Sequence, residues 1–262
     1  MFGFFKKKRL ISEDTIEWLY ECYSWALDNF GSDIFYEDTK LVTPTHKYFP
    51  VKSNDDHIIA QKILGHVKEY SGMQNWPTKL IPQKQDANTL IAPTIVMQNA
   101  PRGPAGTFSM SRNSSKAIIT YNVEHAKQPE KLVATLAHEL AHYLSFSVSE
   151  PPPGGDNNWE SATDLLAVFM GFGIFLCNSS FIFNQYTNYD TQGWSCETLG
   201  YLSRDEITYA LAIFCSLKDI ENKQVIPFLN SESRSHFKKA IKEILQDKHK
   251  IDDLRKIKKP IK

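Results

Sequence analysis

Nineteen consecutive residues without a charge, Leu165 to Phe183, constrain this 262-residue chain more than any other feature. A run of that length has to leave water, and about 20 apolar residues suffice to cross a bilayer. Gly171, Gly173, Asn178, Ser179 and Ser180 interrupt the run, and no Lys or Arg flanks it as an interfacial anchor. Glu160 and Asp164 lie directly before it. The whole chain is 42% hydrophobic and 23% charged, an ordinary globular balance, and long enough to build a sizeable core. The expectation is therefore a buried core helix, with no stable membrane insertion.

The rest of the chain supplies the walls of such a core. Ser12-Glu-Asp opens a helix that carries Ile16, Leu19, Tyr20 and Tyr23 and ends at Gly31. A second helix follows Ser53-Asn54-Asp55, with Ile59, Ile63, Val67 and Tyr70 on one side and Gly72 as its stop. Thr89 to Met97 and Lys116 to Asn122 are rich in β-branched residues, bracket a Pro/Gly loop at 100–106, and read as strands. Pro129 and Glu130 start another helix. A Pro/Gly loop at 149–156 ends it, after which Asn157 or Asn158 is expected to cap the long apolar helix. Ser203-Arg-Asp-Glu206 forms a capping box. A last amphipathic helix gathers Phe237, Ala240, Ile241, Ile244 and Leu245 on one face. The fold class is α+β, mostly helical, with a small sheet preceding the helix that holds residues 138–142. Residues 1–88 form an N-terminal helical region and 89–262 a catalytic region, either separate or as one continuous domain.

That helix contains His138-Glu139-Leu140-Ala141-His142. Two histidines four apart share one helix face, so two imidazole nitrogens can reach one metal ion. Glu139, one position around, can act as general base on a water there. Zinc catalysis needs a third protein ligand and an open position. Trp159-Glu160-Ser-Ala-Thr-Asp164, with Glu160 eighteen positions past His142, offers two carboxylates on one face of the next helix. Glu160 is the expected third ligand. Asp164 is placed to accept the other N–H of a ligating histidine. With no thiolate in the set, one Zn2+ per chain is the expected cofactor.

These two motifs resemble the gluzincin (thermolysin-like) branch of the zincin metallopeptidases, over residues 116–176. The resemblance implies Glu139 as base, Glu160 as ligand, Asp164 as partner of His138, and Lys116 to Asn122 as the strand beside the cleft, which would bind an extended peptide. No histidine lies between His142 and His236, so the downstream oxyanion-stabilising histidine of that branch has no nearby counterpart. Tyr201 is the first candidate to replace it, followed by Tyr189 and Tyr209. The expected function is zinc-dependent hydrolysis of a peptide or protein substrate. Two alternatives are an integral-membrane zincin of the CAAX-prenyl-protease type and a catalytically silent zinc-binding regulatory protein.

Charge and cysteine usage narrow the setting. Net charge is zero, and the Lys-rich face of the last helix, opposite Phe237, has no aromatics interleaved with its bases, so no nucleic-acid partner is expected. Cys22, Cys177, Cys196 and Cys215 show no C-x-x-C pair or disulfide framework. The opening Met-Phe-Gly-Phe-Phe-Lys-Lys-Lys-Arg is too short in its apolar run for a signal-peptide core, and a cytoplasmic location is expected. His46, His57, His66 and His125 lack ligand spacing and are expected to be structural or exposed.

Overall fold

A computed structural model describes residues 9–83, 89–92, 95–97, 106–110, 116–179 and 202–257. Its described part of the charge-free run lies inside one helical stretch, Asp156–Ser179. By length and composition this stretch could cross a membrane, but 89% of its most apolar window is buried within the protein itself. Residues 180–183 of the run fall outside the described residues.

The helical stretch is composite. It begins with α5 (Trp159–Ala167), passes through a π-helical turn at Val168–Phe172, and continues as α6 over residues 173–179. Gly171 causes the break, with φ +98° inside the turn. Its carbonyl accepts a hydrogen bond from the Val42 N–H at 3.0 Å. A Cβ at this position would lie 2.1 Å from the Lys40 carbonyl oxygen, so only glycine lets the 40–42 segment dock there. The expected Asn158 cap is not formed. Its side-chain amide donates instead to the Pro153 carbonyl at 2.9 Å, bracing the loop before the helix.

The N-terminal helices match their sequence signals. α1 (Glu13–Phe30) is capped by Ser12, whose hydroxyl accepts from the Thr15 N–H, and Gly31 ends it at φ +99°. After a short α2 (Ser32–Glu37), α3 (Asp56–Tyr70) is capped by the Asp55 carboxylate. The buried face of α3 is Ala60, Ile63, Leu64 and Val67, rotated from the expected face so that Ile59 and Tyr70 are only half-buried.

Five strands are described: β1 (Thr78–Pro82), β2 (Thr89–Ala92), β3 (Ile95–Met97), β4 (Gly106–Met110) and β5 (Ala117–Tyr121). Thr89 to Met97, expected as a single strand, holds two, β2 and β3, which pair antiparallel with each other. The other three form one sheet in the order β1-β5-β4, parallel between β1 and β5 and antiparallel between β5 and β4. β1 and β4 carry few β-branched residues, and β1 ends in proline, so neither stood out in the sequence. β1 belongs to the first 88 residues and pairs with β5, so the two sequence regions share this sheet.

α4 (Pro129–Ser145) packs against this sheet, against α3 and against α5. α7 (Arg204–Leu217) begins at the expected Ser203/Glu206 capping box, and α8 (Asn222–Val225), α9 (Ser231–Gln246) and α10 (Lys248–Leu254) follow. α9 buries Phe237, Ala240 and Ile244, but Leu245 is 66% exposed, because nothing described covers that side of the helix. Cys22, Cys177 and Cys215 are buried, and burial raises the pKa of each thiol. Among the described residues the architecture is α+β: mostly helical, with a small three-stranded sheet, a separate β2-β3 pair, and a core shared by elements from both ends of the chain.

Candidate metal centre

α4 and α5 bring the two sequence motifs together. Along α4, His138 and His142 stand one turn apart, and their Nε2 atoms are 3.1 Å from each other. Glu160, in the first turn of α5, places its Oε2 atom 3.6 Å from His138 Nε2 and 3.4 Å from His142 Nε2. Among the described residues these three form the one group of His, Cys, Asp or Glu side chains spaced to hold a metal ion. His46, His57, His66 and His125 do not join it.

The hydrogen bonds behind the two rings decide what faces the centre. His138 Nδ1 lies 2.9 Å from Asp164 Oδ1, a carboxylate oxygen that can only accept, so this nitrogen carries the proton. His142 Nδ1 lies 3.4 Å from Thr163 Oγ1. The Thr163 hydroxyl already donates to the Trp159 carbonyl at 2.8 Å, so it too accepts from the ring. In their neutral forms both Nε2 atoms therefore present lone pairs to the same point, beside a buried Glu160 oxygen to which they then donate nothing. Three acceptors without a donor repel one another unless a cation or a shared proton sits among them.

The electrostatics express that demand for positive charge. Burial alone would lower the His138 pKa, but the carboxylates of Asp164, Glu160 and Glu139 overcome burial and push it up to about 10. The facing imidazoles of His138 and His142 hold the Glu160 carboxyl well below the usual carboxylate range. Glu139, only 5% exposed, moves the other way: burial raises its pKa, and the neighbouring Glu160 adds to the rise, against the two histidines. A buried carboxylate with a raised pKa beside a cation-seeking cluster is a stronger base than one in water.

Several residues at this centre carried no sequence signal. The second oxygen of Asp164 accepts the Leu202 N–H at 3.0 Å, which ties α5 to the segment entering α7. Gly106, at the start of β4, passes so close to α4 that a Cβ there would lie 2.9 Å from Glu139 Oε1 and 2.7 Å from Thr135 Cγ2. The ring of Phe108 stacks on that of His142, with centroids 6.2 Å apart and planes 14° from parallel. Thr163 orients His142, as described above. Only Gly106 was visible beforehand, as part of a turn-forming loop.

Two expectations need correction. The segment Lys116 to Asn122 was expected beside the cleft, but β5 is the central strand and both of its edges are already paired. β4 is the edge strand nearest the centre. Tyr121 accepts from Gln83 and Ala117 donates to Pro77, so the odd-numbered residues of β5 bond toward β1. The even-numbered Ile118 and Thr120 then bond toward Ser109 and Thr107 of β4. By the alternation of an antiparallel ladder, Gly106, Phe108 and Met110 direct their N–H and C=O groups away from β5, to an edge that no described strand covers. The second correction concerns Tyr209. It is buried in α7, and its charged neighbours are Glu243, Arg9, Asp247 and Glu13 rather than the His138 cluster. Tyr201 and Tyr189 lie outside the described residues.

No known family model, no curated protein and no solved structure matches the chain.

Proposed function

We propose that the chain is a zinc-dependent metallohydrolase, a peptidase of the zincin type, with His138, His142 and Glu160 as ligands. The observation that carries this is the shape of the ligand triangle. Its edges of 3.1, 3.4 and 3.6 Å bracket the roughly 3.3 Å separation expected between ligand atoms about 2.0–2.1 Å from a tetrahedral zinc. Two imidazoles and one carboxylate, leaving the fourth position open, is a donor set found in catalytic rather than structural zinc sites. When bound there, zinc supplies Lewis acidity and hydroxide near neutral pH.

The chain's own residues supply the rest. Asp164 holds His138 in the tautomer that offers Nε2, and Thr163 does the same for His142. Glu139 takes a proton from the attacking water at its carboxylate and passes it to the departing amine nitrogen. The edge of β4, which no described strand covers, gives an extended peptide main-chain partners at Gly106, Phe108 and Met110, alongside the ligands. The burial of the helix Asp156–Ser179 favours this peptidase over a membrane-embedded zincin. The buried Glu139 favours it over a silent zinc-binding protein, because a structural zinc site does not need a base beside its ligand.

Cleavage of a peptide library, followed with and without zinc, tests the assignment. Unmodified protein should cleave in a zinc-dependent way. Glu139→Gln should keep its zinc and lose orders of magnitude in turnover, since the substitution removes the base and no ligand. Normal cleavage by that variant would remove Glu139 from the mechanism.

A further inference from the structure

An aromatic array runs from the core to solvent beside the metal centre. Trp76 meets Tyr143 edge-on at 4.7 Å between centroids, and Tyr143 lies 5.6 Å from Phe108. Phe108 in turn stacks on His142 and touches Phe146 at 6.4 Å. Phe146 ends the array at the C-terminal cap of α4, four residues past His142 and so on the same helix face. It is 68% exposed, the most exposed large apolar side chain among the described residues. Leaving a phenylalanine in water at the rim of a buried polar cluster forfeits burial energy, and such apolar surface commonly marks a contact site.

The placement of β4 says what meets this ring. Gly106 lies against Glu139 and Phe108 against His142, so the strand tracks α4 toward Phe146. The same Phe108 turns its N–H and C=O to the edge that no described strand covers. A peptide pairing with that edge alternates its side chains between the two faces of the sheet. Those on one face lie on the side of the sheet that carries the Phe108 ring, which meets Phe146.

We propose that Phe146, backed by Phe108, determines substrate specificity by taking an aromatic or large aliphatic side chain at one fixed position of an extended peptide. The inference rests on the peptidase reading and adds to it the class of side chain selected. Aromatic and aliphatic groups gain by covering the exposed ring, and an edge-to-face or offset partner gains further. An acidic or amide side chain gains no comparable burial by covering an apolar ring.

Selection of a displayed random hexapeptide library on the zinc-loaded Glu139→Gln protein tests this without turnover. Bound sequences should be enriched in Phe, Tyr, Trp, Leu or Met at one position. A fluorescently labelled peptide from that pool should bind the Phe146→Ser form of the same protein roughly tenfold more weakly. Phe146 is exposed, so this substitution leaves the fold intact. Bound peptides without an apolar preference, or a preference and affinity unchanged by Phe146→Ser, would overturn the role of Phe146 while leaving the peptidase reading in place. Retention of no peptide at all would count against both.

Discussion

His138 Nδ1 and Asp164 Oδ1 lie 2.9 Å apart, both buried, and they join the two helices that carry His138, His142 and Glu160. The bond fixes which nitrogen of His138 faces the centre. The other oxygen of Asp164 holds the Leu202 N–H, so the carboxylate cannot swing away without breaking a second bond.

Asp164→Asn keeps the size of the side chain and gives up its charge. The protein should fold, yet bind zinc about 10–100-fold more weakly, because an outer-shell partner of a ligating histidine is lost. Glu160→Gln should be worse, since it removes a ligand. Competition against a chelator measures both. Equal zinc retention by Asp164→Asn and unmodified protein would show that this bond does not orient His138.

Gly106→Ala probes the close approach of β4 to α4. The added methyl would meet Thr135 Cγ2 at 2.7 Å and both Glu139 Oε1 and the Thr120 carbonyl oxygen at 2.9 Å. The Thr120 carbonyl belongs to the sheet and cannot yield alone. The expected cost is about 1–3 kcal/mol in urea denaturation, as for other overpacked sites. Turnover should fall because Glu139 is displaced, while zinc content holds. Unchanged stability and turnover would mean that β4 does not constrain Glu139.

His125 predicts a pH dependence of stability. It is 3% exposed, its Nε2 has no hydrogen-bond partner among the described residues, and burial, helped by Lys131, lowers its pKa to about 4 from 6.5. Between those values the unfolded chain holds a proton that the folded chain refuses. The contribution to stability is thus fully present above 6.5 and is lost as pH falls toward 4, by up to about 1.4 kcal/mol per pH unit. His125→Gln removes this titration. Denaturation at pH 7 and pH 5 should show a smaller difference in the variant than in unmodified protein. Identical differences would mean that His125 is not held neutral by the fold.

What could be seen in advance was what depends on local spacing. The four-residue step between His138 and His142, and that from Glu160 to Asp164, are properties of single helices, and both pairs converge as expected. The caps at Ser12, Asp55 and Ser203 are equally local. The misassigned strand shows the limit. Lys116 to Asn122 reads as a strand, but its place in the centre comes from pairing with β1, nearly forty residues earlier. Pairing partners leave no periodic mark on either segment. The same holds for Leu202 reaching Asp164 and for Phe108 lying on His142, both contacts between elements far apart in sequence. Gly171 looked like an interruption of an apolar run. Its reason, the Lys40 carbonyl approaching the turn, exists only in three dimensions.

The metal content of the purified protein tests the central claim most directly. Elemental analysis of protein prepared without chelator should find close to one zinc per chain, and His138→Ala and His142→Ala should each abolish it. Full zinc retention in both variants, or a protein that takes up no zinc when it is supplied, would contradict the assignment of His138, His142 and Glu160 as a zinc site.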